Sequence, residues 1–123
     1  MSWHLSVSNM SEKTKLNILW TNDNLITSEK MVFMYGINSK RKDLWDDVTI
    51  ILWGAPVKLA AENFKIQELI EEAKLEGVHI SACKGCADQL GVTDTLEKLD
   101  IDVIYWADPL TEILKTGEQL LTI

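Results

Sequence analysis

Residues 77–91 read GVHISACKGCADQLG, and this stretch decides the fold. Its first half is a short apolar run with Val and Ile, which predicts a buried strand over 78–83. Its second half predicts a helix over 84–90 that ends at a glycine. A strand that leads directly into a helix is the unit of open α/β sheets, and such sheets place their functional groups at the carboxyl ends of the strands.

The same alternation of short apolar runs and helical patterns extends over the rest of the chain. Further strands are predicted over 16–22, 48–54, 101–107 and 118–122. Helices are predicted between them, over 28–39, 64–76, 93–99 and 109–116. The strand runs are apolar on both faces, which is typical of a parallel sheet that helices cover on both sides through right-handed crossovers. The sequence therefore predicts an α/β fold, a three-layer α/β/α sandwich around a five-stranded, mainly parallel sheet.

Length and charge limit the class of protein. The 123 residues are 46% hydrophobic and 25% charged, which is enough for one domain with a hydrophobic core. Residues 1–15 are polar and aperiodic, so we expect a flexible N-terminal tail followed by a single domain over 16–123. The net charge of −7 repels the phosphates of nucleic acids and anionic membranes. No run approaches the roughly 20 apolar residues of a membrane span, and we expect a cytoplasmic protein without nucleic acid or membrane partners.

Both cysteines, Cys83 and Cys86, lie at the predicted junction of strand and helix. A disulfide between residues so close in sequence would staple very little of the fold, so their position favours reactivity. The first-turn amides of the helix and the Lys84 ammonium are expected to stabilise a Cys83 thiolate and lower its pKa. The spacing i, i+3 puts both sulfurs on one helical face, and Gly85 carries no side chain to crowd them. We therefore predict that Cys83 is the reactive thiol and that Cys86 is placed to release a group bound to it.

The cysteine pair has other interpretations. Zinc needs four ligands, and the chain offers only His4 and His79 beyond the cysteines, so no metal site is predicted. A thioredoxin fold normally has its pair after an early strand and a later proline loop, whereas this pair follows the third strand and only Pro109 comes after it. Two small buried hydrophobic side chains at the start of a helix remain an alternative.

Other residues are predicted at the same edge, because the carboxyl ends of parallel strands meet there. The predicted substrate-binding residues are Asn22, Asp23, Gly54, Lys58, Lys84, Gly85 and Trp106. For Asp23 and Asp108 the pattern favours capping of the following helices, with Asp108 as the N-cap before Pro109. Lys58 is favoured as a solvated lysine.

Three tryptophans and one histidine have their own alternatives. Trp20, Trp53 and Trp106 lie near the carboxyl ends of predicted strands, where core filling is favoured over a pocket mouth or a subunit contact. His79 alternates with apolar residues, which favours an interior histidine over a catalytic base. The loop over 21–28 lacks the glycines of a flavin phosphate loop, and Cys83 stands where a phospho-receiver has an acidic residue. No cofactor is therefore expected.

A family resemblance adds to this interpretation. Residues 50–60, which read IILWGAPVKLA, and residues 77–87, which read GVHISACKGCA, resemble the DsrE/DsrF-like family, to which the Tus-type sulfur-relay subunits belong. The resemblance covers nearly all of the chain after the tail. It implies a DsrE-like fold, a persulfide on Cys83 that passes from a sulfur donor protein to an acceptor protein, and a homo-oligomer, a trimer or hexamer.

Two functions from different classes follow. The first is an intracellular sulfur-transfer protein, a persulfide carrier, or a thiol-redox protein that uses Cys83 without a cofactor. The alternative is a non-catalytic oligomeric module that binds a small ligand at the carboxyl edge and has structural cysteines. The reactivity of the thiols distinguishes the two.

Overall fold

The structure, a computed structural model, describes residues 14–123. The predicted tail over 1–15 lies outside the described residues except for its last two positions. The strands form one five-stranded sheet in the order β4-β3-β2-β1-β5, and all neighbouring strands are parallel. The strands are β1 (Lys15–Trp20), β2 (Asp47–Leu52), β3 (His79–Cys83), β4 (Asp102–Ile104) and β5 (Gln119–Thr122). The predicted α/β fold is confirmed.

Helices connect successive strands. The first, α1, is continuous and consists of Leu25–Thr27, a wider π-helical segment Ser28–Phe33 and Met34–Arg41. The others are α2 (Ala55–Glu62), α3 (Phe64–Leu75), α4 (Lys84–Leu90), α5 (Thr93–Lys98) and α6 (Ala107–Thr116). Within residues 14–123, none of these helices is long and apolar enough to cross a membrane.

Helix α2 is absent from the prediction, which has no helix between the strand over 48–54 and the helix over 64–76. Gly54 precedes this helix with a φ of 81°, a conformation that glycine adopts without strain. Pro56 lies in the first turn, where a helix does not need the amide N–H that proline lacks. The residues that ended the strand therefore also begin a helix, and Asn63 caps α3 directly after it by accepting a hydrogen bond from the Ile66 amide.

The strand order determines which face each helix covers. The chain moves from β1 through β2 and β3 to β4 in one direction and then returns to β5 on the other side of β1. Right-handed crossovers consequently put α1 to α5 on one face and α6 alone on the other. The two hydrophobic clusters agree with this division. The larger joins strand residues such as Ile18, Ile50 and Ile80 to Phe33, Ile70 and Leu96, and the smaller joins Ile51 to Trp106 and Ile113.

The face under α6 is only partly covered, and this overturns one prediction. The His79 side chain is 53% exposed, and its Nε2 lies 3.2 Å from a carboxylate oxygen of Asp102 on the neighbouring strand. The prediction of an interior histidine is wrong because it assumed that helices cover the whole of both faces. One helix of ten residues leaves the first residue of β3 in contact with solvent.

Candidate functional site

The cysteine pair lies where β3 ends and α4 begins. Cys83 is the last residue of the strand, paired with Ile104 of β4, and it is also the N-cap of the helix. Its Sγ accepts a hydrogen bond from the Cys86 amide at 3.4 Å. Cys83 is 7% exposed and Cys86 is partly buried, and both are free thiols. A sulfur atom therefore takes the place of the usual capping oxygen at the first turn of this helix.

The Cys86 thiol has two neighbours that act on it in opposite directions. Burial, followed by a hydrogen bond to the Cys83 sulfur, raises the pKa of Cys86, and a negative charge on Cys83 raises it further. The backbone N–H of Gly54 lowers the same pKa, without cancelling the rise. Cys86 consequently keeps its proton at neutral pH, and the two sulfurs share one hydrogen-bonded site.

Glycines keep the surroundings of this site open. A Cβ atom at Gly85 would meet the Cys83 sulfur at 3.9 Å, ordinary van der Waals contact. Glycine at this position therefore leaves the room of one methyl group beside Cys83. Gly54, at the end of β2, brings its amide to Cys86 through a positive φ. The structure thus brings together four of the predicted residues: Cys83, Cys86, Gly54 and Gly85.

The predicted role of Lys84 is not supported by its contacts. Its ammonium lies 3.3 Å from the carboxylate of Asp88, one helical turn along, and 5.8 Å from the centre of the Tyr105 ring. The hydrogen bond to Asp88 raises the pKa of Lys84. The Thr93 hydroxyl, together with Lys84, lowers the pKa of Asp88. The ammonium is therefore bound by its own helix and an aromatic face rather than directed at the Cys83 sulfur.

Asn22 and Asp23 follow β1, two strands away from β3, which is about 10 Å across the sheet. The Asn22 side chain accepts from the Asn24 amide at 3.1 Å, and Asn24 in turn caps α1 by accepting from the Thr27 amide at 2.9 Å. Asn24, not Asp23, is therefore the cap, and the prediction for Asp23 is wrong. Asn24, the residue after Asp23, provides the side-chain oxygen at the position where the helix begins.

The prediction for Asp108 fails for a related reason. Helix α6 starts at Ala107, with Trp106 as a cap that makes no side-chain hydrogen bond. Asp108 and Pro109 therefore lie inside the first turn. The Asp108 carboxylate there still interacts favourably with the positive end of the helix dipole. Lys58, the last predicted edge residue, is exposed on α2, in agreement with a solvated lysine.

The tryptophans are confirmed as core residues at two of three positions. Trp20 is fully buried, packs edge-on against Phe33 and donates from Nε1 to Ser28 Oγ at 3.1 Å. Trp106 is buried and donates to Ser81 Oγ at 2.7 Å. Trp53 is partly exposed and packs against the smaller hydrophobic cluster. Trp106 is thus a structural support of β3 rather than a surface that faces a substrate.

Sequence reasoning missed Tyr105, which is 65% exposed at the end of β4, the strand next to Cys83. A large aromatic residue directly after the apolar residues of β4 was the sequence signal that could have identified Tyr105. Leu90, at the end of α4, is also exposed. The Tyr105 ring centre lies 5.8 Å from the ammonium of Lys84, the residue after Cys83, so Tyr105 lies at the rim of the cysteine site.

The larger surface clefts lie away from the cysteines. Clefts of 450, 380 and 300 Å³ follow the amino-terminal edge of the sheet, and Lys15, Glu118, His79 and Asp102 are among their lining residues. They are shallow and mixed in charge, whereas the nucleophilic sulfurs lie at the opposite edge.

Fold and site together define an all-parallel α/β protein with a cysteine pair at the end of its third strand. The structure of the conserved protein of unknown function BT1422 from Bacteroides thetaiotaomicron has a TM-score of 0.89 with this chain at 46% sequence identity. The match covers 93% of this chain and 98% of that one, so the chain belongs to the same family as that protein.

A second structure, that of the ychN protein from E. coli, has a TM-score of 0.67 at 16% identity. It covers 90% of this chain and 99% of its own. At this identity the match shows a shared fold. No protein-family model and no curated protein matches the chain.

Proposed function

We propose that this protein is a sulfur carrier that holds sulfane sulfur as a persulfide on Cys83. The observation that carries the proposal is the position of the Cys83 sulfur, which accepts the Cys86 amide at 3.4 Å at the first turn of α4. The Cys86 N–H is therefore a hydrogen-bond donor within reach of the sulfur anion that forms at Cys83 during an exchange reaction. A thiolate is the form that attacks other sulfur atoms.

The transfer step is a thiolate exchange. The Cys83 thiolate attacks the outer sulfur of a donor persulfide, the sulfur–sulfur bond of the donor breaks, and the donor leaves as a thiolate. Cys83 then carries one additional sulfur atom, which the thiolate of an acceptor removes by the same step. No electrons are gained or lost overall, so the carrier needs no cofactor for this exchange.

The sequence resemblance to the DsrE/DsrF-like family supports the same proposal. The segments that carry the resemblance contain Gly54, Cys83, Gly85 and Cys86, the residues that lie together in the structure. The fold shared with the ychN protein supports the architecture only. Thiol-disulfide exchange would use the same Cys83 thiolate, so a redox role belongs to the same proposal.

The low exposure of Cys83 is the observation that favours the alternative, a ligand-binding module with structural cysteines. A transferable sulfur must be reached from outside, and the missing side chain at Gly85 is the feature that leaves room beside it. In the proposed carrier, donor and acceptor proteins approach over the exposed side chain of Tyr105.

We also propose that the protein forms a homo-oligomer and is located in the cytoplasm. Helix α1 exposes the apolar side chains of Leu25, Ile26, Met31 and Met34, and apolar patches of this kind are typical of contacts between subunits. A reducing compartment keeps two neighbouring thiols free. Sedimentation equilibrium of the full chain tests the assembly, and a monomer at all concentrations would contradict it.

The carrier function is tested with two single-cysteine variants, Cys86→Ser and Cys83→Ser. Each is incubated without oxygen with sodium tetrasulfide, and peptide mass spectrometry without reductant then locates the added sulfur. We expect Cys86→Ser to gain the mass of one sulfur atom at Cys83 and to pass it to cyanide as thiocyanate. Cys83→Ser is expected to load at least tenfold more slowly, because burial keeps Cys86 protonated. Equal loading of the two variants, or no loading at Cys83, would contradict the carrier function and support the ligand-binding alternative.

A further inference from the structure

We propose that Cys86 is the resolving thiol of Cys83, so that the chain itself discharges bound sulfur as hydrosulfide when no acceptor removes it. This inference rests on the proposed function, because it concerns the fate of sulfur held on Cys83. It gives the second cysteine a chemical role that a carrier with one cysteine does not have.

The geometry of the helix start allows the two sulfurs to bond. Residues three apart on a helix have Cα atoms about 5 Å apart, inside the range of roughly 4.4–6.8 Å that disulfides require. Cys83 is the N-cap and Cys86 the third residue of α4, and the 3.4 Å hydrogen bond brings the Cys83 sulfur over this first turn. A disulfide therefore forms by rotation of side chains, without movement of the strand.

Two backbone features favour attack by Cys86. The Gly54 backbone N–H lowers the pKa of Cys86 and so favours the thiolate that must form there. At Gly85, a Cβ atom would lie 3.9 Å from the Cys83 sulfur, and its absence leaves space for the additional sulfur atom or its departure. Gly54 is at the end of the neighbouring strand β2, so the resolving site is assembled from β2, β3 and α4.

The reaction balances without an outside oxidant. The Cys86 thiolate attacks the Sγ atom of the Cys83 persulfide, and the bond from that atom to the outer sulfur breaks. The outer sulfur leaves with the electron pair as hydrosulfide. It gains two electrons, and the two cysteines lose two as their disulfide forms. A dithiol reductant then restores the free thiols.

The protonation of Cys86 controls how fast this happens. Because burial and the Cys83 sulfur raise its pKa, only a small fraction of Cys86 is thiolate near neutral pH. Resolution is consequently slower than transfer to a thiol acceptor with a lower pKa. Sulfur is passed on when an acceptor is present and is discharged when none arrives.

The test compares the wild-type chain with Cys86→Ser, both loaded with sodium tetrasulfide without oxygen. Intact mass and sulfide captured by monobromobimane are followed over time. We expect the wild-type chain to release sulfide and to end two hydrogen atoms lighter than the reduced chain. Cys86→Ser should keep one additional sulfur at least tenfold longer. A wild-type persulfide that lasts as long as that of Cys86→Ser would overturn the resolving role and leave the carrier function intact.

A second reagent separates failure of this inference from failure of the carrier function. An aromatic disulfide, dithionitrobenzoate, forms a mixed disulfide with Cys83 whether or not the chain accepts sulfane sulfur. With one equivalent of the reagent per chain, a resolving Cys86 expels the bound group, so the wild-type chain releases a second equivalent of thionitrobenzoate, whereas Cys86→Ser and Cys86→Ala release one and stay modified. If neither chain loads sulfur but the second equivalent appears, the carrier function fails and the resolving role stands. A stable mixed disulfide in the wild-type chain overturns the resolving role.

Discussion

The amide nitrogen of Cys86 lies 3.4 Å from the sulfur of Cys83, so one cysteine caps the helix that positions the other. This relationship joins the local structure to the proposed chemistry, because the group that holds the Cys83 sulfur in place belongs to the residue expected to react with it. The backbone N–H of Gly54, after the neighbouring strand β2, also acts on Cys86 by lowering its pKa.

The alkylation of Cys86 should be displaced to high pH. Burial and the Cys83 sulfur raise the pKa of Cys86, so its thiolate fraction at neutral pH is lower than that of an ordinary thiol. Its rate of reaction with iodoacetamide, measured by peptide mass spectrometry, is expected to keep rising about tenfold per pH unit beyond the ordinary thiol pKa of about 8.5. In Cys83→Ser the pH dependence of this rate should move only partly toward that of an ordinary thiol. Burial, the larger cause of the raised pKa of Cys86, remains in this variant. A plateau below that pH would contradict the assigned environment.

Substitution of Gly85 by alanine should slow sulfur loading without loss of stability. The new methyl group meets the Cys83 sulfur at 3.9 Å, which the folded chain tolerates but which fills the space for a bound sulfur. Alanine in a helix also gains up to about 1 kcal/mol over glycine. We expect Gly85→Ala to load at least fivefold more slowly with tetrasulfide and to unfold at the same or a higher urea concentration.

The matched control is Gly91→Ala at the other end of the same helix. Gly91 has a φ of 71° and nothing near its Cβ position, so alanine there is strained by about 1 kcal/mol without approaching the cysteines. This variant should lose stability and load at the wild-type rate. If both variants slowed loading equally, disturbance of the helix rather than crowding of Cys83 would be the cause.

Lys84→Gln should leave sulfur loading nearly unchanged. The ammonium is bound to Asp88 at 3.3 Å and lies over Tyr105, so its removal takes little charge from the Cys83 sulfur. We expect a change of less than about twofold in the loading rate at moderate salt, where surface charges are screened. A tenfold lower loading rate would instead support the sequence-based prediction that the Lys84 ammonium stabilises a Cys83 thiolate. The test therefore decides between the sequence-based expectation and the observed contact.

The strands and most helices were predictable because each leaves a local pattern. The run that ends at Cys83 is apolar and short, and the glycine after Leu90 ends the next helix in the left-handed conformation that the sequence indicates. The predicted strand over 101–107 is longer than the observed Asp102–Ile104, because the apolar run continues into α6. Local pattern thus identifies elements better than it identifies where they end.

Other features depend on contacts that no local pattern contains. His79 is exposed because a single helix covers its face of the sheet, which follows from strand order. The contact of Lys84 with Asp88 was readable from the i, i+4 spacing, but its contact with Tyr105 depends on the pairing of β3 with β4. The Gly54 amide reaches Cys86 because β2 lies beside β3. The cysteine pair was visible in the sequence, and its surroundings required the fold.

Two buried serines should respond to alanine in opposite ways. Ser81 Oγ donates to the Asp102 carbonyl at 2.6 Å and accepts from Trp106 Nε1 at 2.7 Å, which ties β3 to β4 and α6. Ser81→Ala leaves a buried indole N–H without its partner, which costs about 1–3 kcal/mol. Among residues 14–123, Ser39 Oγ is buried with no hydrogen-bond partner. Ser39→Ala removes a group whose desolvation is uncompensated and adds a better helix former, so a gain of up to about 1 kcal/mol is expected.

Urea unfolding of the two variants against the wild-type chain measures this difference. The transition should move to lower urea for Ser81→Ala and stay or move to higher urea for Ser39→Ala, with the slope of the transition unchanged. Both side chains are fully buried and both substitutions remove one hydroxyl, so hydrophobic burial alone predicts the same shift for each. Equal shifts would therefore contradict the hydrogen bonds assigned to Ser81. Opposite shifts would establish that the Trp106–Ser81 contact holds β3, and with it Cys83, against the helix that covers its second face.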